Sequence, residues 1–465
     1  MGAITLAAAK IPERTRWWPL LAAMSKAGGA SLASGLMSAL AMKIVAAVAG
    51  PVHVALLVTL QQIRQMALVA STGNGQTALV RAASAFEGQR RREFVRTAAW
   101  IFASATTLVL LGMLAAPQWV ARWAGLPPAG VGAVRWLALP LVFSSLFVFG
   151  SAVLNALGRI GDLAVLQIIA AAAMAAGAWP AARSASAGRP EFLVGLLGFS
   201  AAVSVVAAGL ALLRFRHELK DWFCGPGRVW APAAARSFGS MSLAMLASGL
   251  AASGVLLAVR GRIASRQGML VTGQFDAAWG ISMNYVTLVL SSLQTYYLPA
   301  LARARTTAQR NVHISNVLTL ATLAAAVLIA TVASLKPHLL TWFYSTEFRP
   351  GVEYLRWTLV GDYLKVTSWI LSIPLLAAAE LKVFLAADLA AYSVFLGAAT
   401  GLTHWLTAAS SAGVAFVLMY AAHLLICAVY LLRRRQFVPT RTAALAWTAG
   451  LAVVVAVSVL TWNQT

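Results

Sequence analysis

The sequence predicts an all-α polytopic membrane protein. Two six-helix lobes, related as parallel pseudo-repeats, would surround a central cavity, with a thirteenth helix beyond them. Three observations carry that expectation. The 465 residues are 60% hydrophobic and 11% charged, with a mean hydropathy of +0.78, whereas a soluble chain carries roughly 25% charged residues. Apolar stretches long enough to cross a bilayer follow one another along the whole chain. The longest hydrophilic loop, Arg214 to Arg236, divides the first twelve of them into six and six.

In order, spans are expected at 24–50, 51–81, 94–117, 131–157, 162–180, 191–213, 237–259, 273–300, 314–335, 352–379, 382–406 and 410–431. A further one follows at 441–462. The N-lobe, 24–213, and the C-lobe, 237–431, are 190 and 195 residues long. An even number of spans in each gives both the same orientation, as in parallel repeats about an axis along the membrane normal. Residues 214–236 form a cytoplasmic linker, and 432–465 a basic loop with the extra span, which lies outside the repeat. Residues 1–23 form a cytoplasmic or interfacial segment, with Trp17 and Trp18 at the headgroup level. Its apolar run Ala3–Ala9 is short and is followed by Glu13, Arg14 and Arg16, so no cleavable signal peptide is expected.

The net charge of +23 comes from 36 Lys and Arg against 13 Asp and Glu. In a soluble protein that excess would suggest nucleic acid; here the enrichment of cytoplasmic loops in Lys and Arg is the simpler source. With the N-terminus in the cytoplasm, cytoplasmic loops hold 23 of these residues and outer loops 8. Arg260, Arg262 and Arg266 cluster in one outer loop, against the rule. The two cysteines, Cys224 and Cys427, fit neither a disulfide framework nor a metal site. No P-loop, hydrolase elbow or metal-ligand spacing is present, so no cofactor is expected.

Polar residues line up within three spans. In the eighth, with Asp276 at zero and about 100° per residue, Gly280, Asn284, Thr287, Ser291 and Gln294 fall within about 80°. In the second, Gln61, Arg64, Gln65 and Thr72 share about 100° and end at Gly73-Asn74-Gly75, where a helix would break. Arg64 lies about 20 Å below the outer surface, too deep for easy snorkelling. It either pairs with a carboxylate to fasten two helices or lines a cavity. Lys43, about 10 Å from the outer end, can snorkel instead of binding a ligand. In the tenth span Thr358, Asp362, Lys365 and Trp369 share about 60°. Asp362 and Lys365 either neutralise each other or serve an anionic substrate. Asp388 has an open choice of partner, Asp276 is placed to pair with Arg260 or Arg262, and His423 reads as a packed interior residue. Several cations at membrane depth favour an anionic substrate, and a phosphate-bearing lipid headgroup would satisfy Arg and Lys together.

Three stretches carry a resemblance: Lys43 to Arg81 with Gly50-Pro51, Gln61 and Gly73-Asn74-Gly75; Leu256 to Pro299 with Arg260, Gly273, Trp279, Ile281-Ser282, Tyr285 and Tyr297-Leu298-Pro299; and Gly361 to Lys365 followed by Ser368-Trp369 and Lys382. In these, over nearly all of the first twelve spans, the sequence resembles bacterial lipid-linked oligosaccharide flippases of the O-antigen or enterobacterial common antigen branch. That branch lies in the multidrug/oligosaccharidyl-lipid/polysaccharide exporter superfamily. The thirteenth span departs from that pattern, as does Asp388 where a glutamate is expected.

The resemblance implies an inner-membrane, multi-pass, non-enzymatic flippase with its N-terminus in the cytoplasm. Alternating access would carry undecaprenyl-pyrophosphate-linked oligosaccharide repeat units to the periplasmic leaflet for surface polysaccharide assembly. A polysaccharide polymerase and a chain-length regulator would be partners, alongside membrane lipids and without nucleic acid. Arg64, Arg260 and Lys365, with Lys43 and Arg262, would bind the pyrophosphate. Gln61, Gln65, Asn284 and Gln294 would face sugar hydroxyls, and Asp276, Asp362 and Asp388 would couple ions or pair charges. A multidrug-type antiporter is the first alternative and predicts acidic cavity residues. A polymerase or ligase is the second and predicts a large outer loop, yet the longest, Leu335 to Val352, is under about 20 residues.

Overall fold

A bilayer leaves a spanning chain no water to satisfy its backbone, so an apolar chain of this length becomes a bundle of helices. The computed structural model describes residues 17–128, 130–304, 306–378 and 380–462. Their side chains are described except at 17–31, 84, 85, 160, 241, 288, 291–296, 298–300, 302 and 303. Gln294 and Ser291 of the eighth-span seam, and the tryptophans at 17 and 18, therefore fall outside the described side chains. Residues 1–16 fall outside the described chain.

Among the described residues, eleven helical stretches are long and apolar enough to cross a membrane, and two of these are double. Leu32–Thr72 and Ser242–Thr287 run 41 and 46 residues, about 60 and 70 Å at 1.5 Å per residue and so twice a hydrocarbon core. Each is interrupted at one glycine with positive φ, Gly50 (φ 76°) and Gly268 (φ 84°), a conformation that costs a residue with a Cβ. Counting each as a pair of crossings gives α1 (17–49), α2 (51–72), α3 (Gly88–Ala115), α4 (Ala138–Ala156), α5 (Ile160–Ser186) and α6 (Phe192–Leu213) in the first lobe. The second lobe holds α7 (232–267), α8 (269–303), α9 (Thr307–Phe343), α10 (Val352–Ala377), α11 (Leu381–Gly401) and α12 (Ala408–Arg434). A final helix, α13 (Arg441–Leu460), packs on α9 and α10. The glycine turn recurs at the same place in each lobe, between its first and second helices.

Local chemistry explains several ends. The hydroxyls of Thr306, Thr407 and Thr440 accept from the backbone N–H three residues on, capping α9, α12 and α13. Gly73 and Asn74 both take positive φ and stop α2 at Thr72, so the second span is shorter than expected and a separate helix, Gln76–Ala85, follows. The fourth span is likewise divided, into Gly130–Trp136 and α4. The stretch 260–267, expected as a loop, continues α7.

The linker is folded and fastened. A short helix, Arg216–Cys224, leads into a turn whose carbonyls are held by buried Arg96 of α3. Its guanidinium donates to the carbonyls of Trp222 (2.9 Å), Gly227 (3.1 Å) and Gly225 (2.5 Å). Arg92 pairs with Asp221 at 2.6 Å. Part of the basic excess at this end is thus structural. Leu108, Val206, Leu320 and Leu445 stand exposed on the outside, the apolar surface that lipid covers.

At the end carrying Gly50 and Gly268 the lobes touch closely. A Cβ on Gly273 would lie 2.0 Å from the Pro51 carbonyl oxygen, so only glycine lets α8 start against α2. Gln274 donates to the Glu347 carbonyl (2.9 Å), and Lys43 of α1 donates to the carbonyls of Thr341 (3.0 Å) and Tyr344 (2.5 Å) at the end of α9.

Candidate substrate cavity

The intramembrane charges sort by what each finds within reach. Arg260, on α7, meets Asp276, on α8, with Nε 2.7 Å from Oδ1 and both side chains almost wholly buried. Its Nη1 also donates to Gln62 Oε1 of α2 (3.2 Å), and the Gln62 amide donates to the Ser253 carbonyl (3.4 Å). The most deeply buried of the three arginines is therefore neutralised, and it ties the lobes together. The sequence reading allowed that pairing for Asp276, but it chose Gln61 and Gln65 on α2 and passed over Gln62, which makes the contact. The overlooked signal was a third glutamine, about 100° off the seam, in a bilayer helix where each polar side chain needs its own partner.

Arg262 donates to Thr403 Oγ1 (3.1 Å) and the Thr400 carbonyl (3.4 Å). It closes the end of α11, as Lys43 closes the end of α9; cations suit helix C-termini because exposed carbonyls concentrate negative charge there. Both side chains, expected at the substrate, have donors directed to helix-end oxygens: Lys43 to two carbonyls, Arg262 to a hydroxyl and a carbonyl.

Arg64 differs. Its Nη1 donates to Ser144 Oγ of α4 (3.2 Å), its Nε is buried without a partner, and among the described residues no carboxylate lies within ion-pair distance. Of the two readings for it, the cross-helix ion pair is not what the structure places there. Gln65, one residue on, is exposed and Gln61 half-buried.

In the second lobe Asp362 is fully buried on α10. It accepts from Ser282 Oγ through both oxygens (2.8 and 2.7 Å) and from Tyr285 Oη, both on α8. Lys365, one turn on, forms no ion pair with it. Its ammonium lies 3.0 Å from Met283 Sδ and 5.7 Å above the Tyr420 ring, a cation–π contact that leaves its hydrogen-bonding capacity largely unused. Each lobe thus holds a cation at membrane depth with no carboxylate, among the described residues, within ion-pair distance: Arg64 in one, Lys365 in the other.

The eighth-span seam is split. Asp276 turns inward to Arg260, whereas Asn284 and Thr287 are exposed. Asp388, on α11, accepts from Ser248 Oγ of α7 and lies 3.2 Å from His423 Nε2 of α12. His423 is buried, as a packed residue should be, but it is packed against a carboxylate. Among the described residues no three His, Cys, Asp or Glu side chains converge to hold a metal ion.

The architecture defines a class. Over 91% of this chain and 95% of the other, the fold superposes on the inward-facing structure of a multidrug resistance MATE family transporter of the MOP superfamily, with TM-score 0.68 and 15% identity. Over 93% and 97% it superposes on the inward closed conformation of the lipid II flippase MurJ, with TM-score 0.64 and 12% identity. The chain therefore has the two-lobed fold of these multi-pass membrane transporters. In sequence it is similar to the lipid III flippases of Escherichia coli (strain K12) and Shigella flexneri, each 29% identical over 170 residues. Those matches cover 35% of this chain and 39% of the relatives' length. No protein-family profile matches the chain.

Proposed function

We propose that the protein flips a lipid-linked oligosaccharide, carried on undecaprenyl pyrophosphate, from the cytoplasmic to the periplasmic leaflet of a bacterial inner membrane for surface polysaccharide assembly. The observation that carries the reading is a pair of cations, Arg64 and Lys365, one per lobe, which among the described residues meet neither a carboxylate at ion-pair distance nor a backbone carbonyl. A pyrophosphate presents several oxygens to be shared between two lobes, and its charge offsets the cost of keeping both cations at depth. Gln61, Gln65, Asn284 and Gln294 are assigned to sugar hydroxyls, while the prenyl chain stays in lipid. Arg260 and Lys43 act at one remove, holding the Gly50 end of the lobes together while the other end admits substrate, and Arg262 fastens α7 to the end of α11 within the second lobe. With the N-terminus in the cytoplasm, outward movement of the phosphate's negative charge runs with the membrane potential, worth about 2.3 kcal/mol per charge per 100 mV.

The sequence similarity to lipid III flippases supports the substrate class. A multidrug-type antiporter with the same fold would present a free carboxylate to a cationic drug, yet Asp276, Asp362 and Asp388 each have partners. Asp276 and Asp362 are assigned to charge pairing and hydrogen bonding, and Asp388 with His423 to ion coupling. The test is depletion in a host that builds the surface polysaccharide: lipid-linked repeat units should accumulate on the cytoplasmic face. Arg64→Ala with Lys365→Ala should reproduce that accumulation in a folded, membrane-inserted protein. Normal surface polysaccharide in the double variant would defeat the assignment.

A further inference from the structure

Helix α13 lies outside the repeat, yet it is bonded to α10 at two levels. Trp447 makes both bonds at the first level: its carbonyl accepts from Tyr363 Oη (2.7 Å), and its ring Nε1 donates to Thr367 Oγ1 (3.1 Å). One turn on, Gly450 lies against the same tyrosine. A Cβ there would come within 2.4 Å of Tyr363 Oη and 3.1 Å of its ring, so the tyrosine can seat only against glycine. At the second level Trp462 stacks edge-on to Trp357 (5.1 Å) and under the Arg356 guanidinium (5.0 Å). Fully buried Lys336 of α9 donates to the Thr461 carbonyl at the end of α13 (2.5 Å). A lysine buried in a membrane bundle is costly unless its donors are met. Here they close the last turn of α13 and anchor it to the lobe.

Tyr363 and Thr367 share α10 with Asp362 and Lys365, but they sit about 160° around the helix from Lys365. On its far side α10 contacts α8 and α12 through Ser282, Tyr285, Met283 and Tyr420. The helix is thus held from opposite sides. Turning it enough to move the lysine would break both Trp447 bonds and drive the Tyr363 ring into α13.

We infer that α13 fixes the rotational setting of α10, with Trp447 and Gly450 as positioning residues that hold Asp362 and Lys365 toward α8 and α12. The importance of that setting for transport rests on the function proposed above; the positioning does not. The experiment uses the full chain with Cys224→Ala and Cys427→Ala, a single reporter cysteine from Lys365→Cys, and the rate of its reaction with a maleimide. Two versions disturb α13: Tyr363→Phe with Trp447→Phe, which loses one hydroxyl and the indole N–H with its five-membered ring but keeps an aromatic ring at each position, and Gly450→Leu.

The reaction rate at 365 should change by about fivefold or more, the scale of population shift that losing two intramembrane hydrogen bonds permits. A reporter from Asn284→Cys on α8 should stay within about twofold of its own reference, since among the described residues Trp447 bonds only to α10. An unchanged rate at 365 in the double-phenylalanine protein, eluting as one species, overturns the inference even if Gly450→Leu does not fold. Flipping is measured separately in the chain that keeps Lys365 and carries Tyr363→Phe with Trp447→Phe. A changed rate at 365 alongside normal flipping would leave the positioning standing and remove Lys365 from the phosphate site.

Discussion

Arg260 and Asp276 meet at 2.7 Å with both side chains out of solvent, so each is costly to leave alone. Removing one partner of a buried pair leaves an uncompensated charge, typically at 3–5 kcal/mol, whereas removing both is far milder. Arg260→Ala should therefore lower the unfolding midpoint in detergent well below that of Arg260→Ala with Asp276→Ala. Equal midpoints would mean that the pair is not the source of the stability. Arg64 and Lys365 were legible because a charge inside an apolar run is rare enough to demand an explanation. Which of the chain's cations were already satisfied was not. Lys43 and Arg262 find carbonyls at helix ends more than a hundred residues away, and nothing in their own helices announces that.

At the level of elements, the two glycine turns and the contact between them set the geometry of one end. Gly273 stands against the Pro51 carbonyl at a distance no side chain tolerates. Gly273→Leu should hold the ends of α2 and α8 apart and, on the proposed function, reduce flipping by about tenfold or more, as closures that depend on contact are lost with it. A cysteine pair placed by Pro51→Cys with Met269→Cys would then crosslink more slowly than in the chain with Gly273. Unchanged flipping would show that this close approach is dispensable. Most helices appeared near their expected places, since an apolar run and its polar flanks are local properties. The seventh ran longer than expected: Arg260, paired with Asp276, and Arg262, donating to Thr403, both lie on the continuing helix.

For the whole molecule, the loop charges predict an orientation with the N-terminus in the cytoplasm, and that expectation has a direct check. Cys224 is exposed at the end carrying the linker, and Arg266 is exposed near the Gly268 turn. An impermeant maleimide applied to intact spheroplasts should leave Cys224 unlabelled, and should label a cysteine from Arg266→Cys when Cys224→Ala is also present. The reverse pattern would invert the topology and, with it, the direction of transport relative to the membrane potential.

The amino-acid sequence by itself determined a helical membrane protein of two similar lobes and a further helix, because a chain this apolar can satisfy its backbone in a bilayer only by coiling. It also marked the three helices that carry polar residues, because a helical wheel is a property of one segment. Only the tertiary structure decided which charges are spent and which remain. Asp362 is satisfied by Ser282 and Tyr285 from another helix, and Arg260 by α8 and the opposite lobe. Lys365 and Arg64 are left without such a carboxylate. A wheel gives the direction of a side chain on its own helix, and what stands opposite depends on how the helices are set against one another.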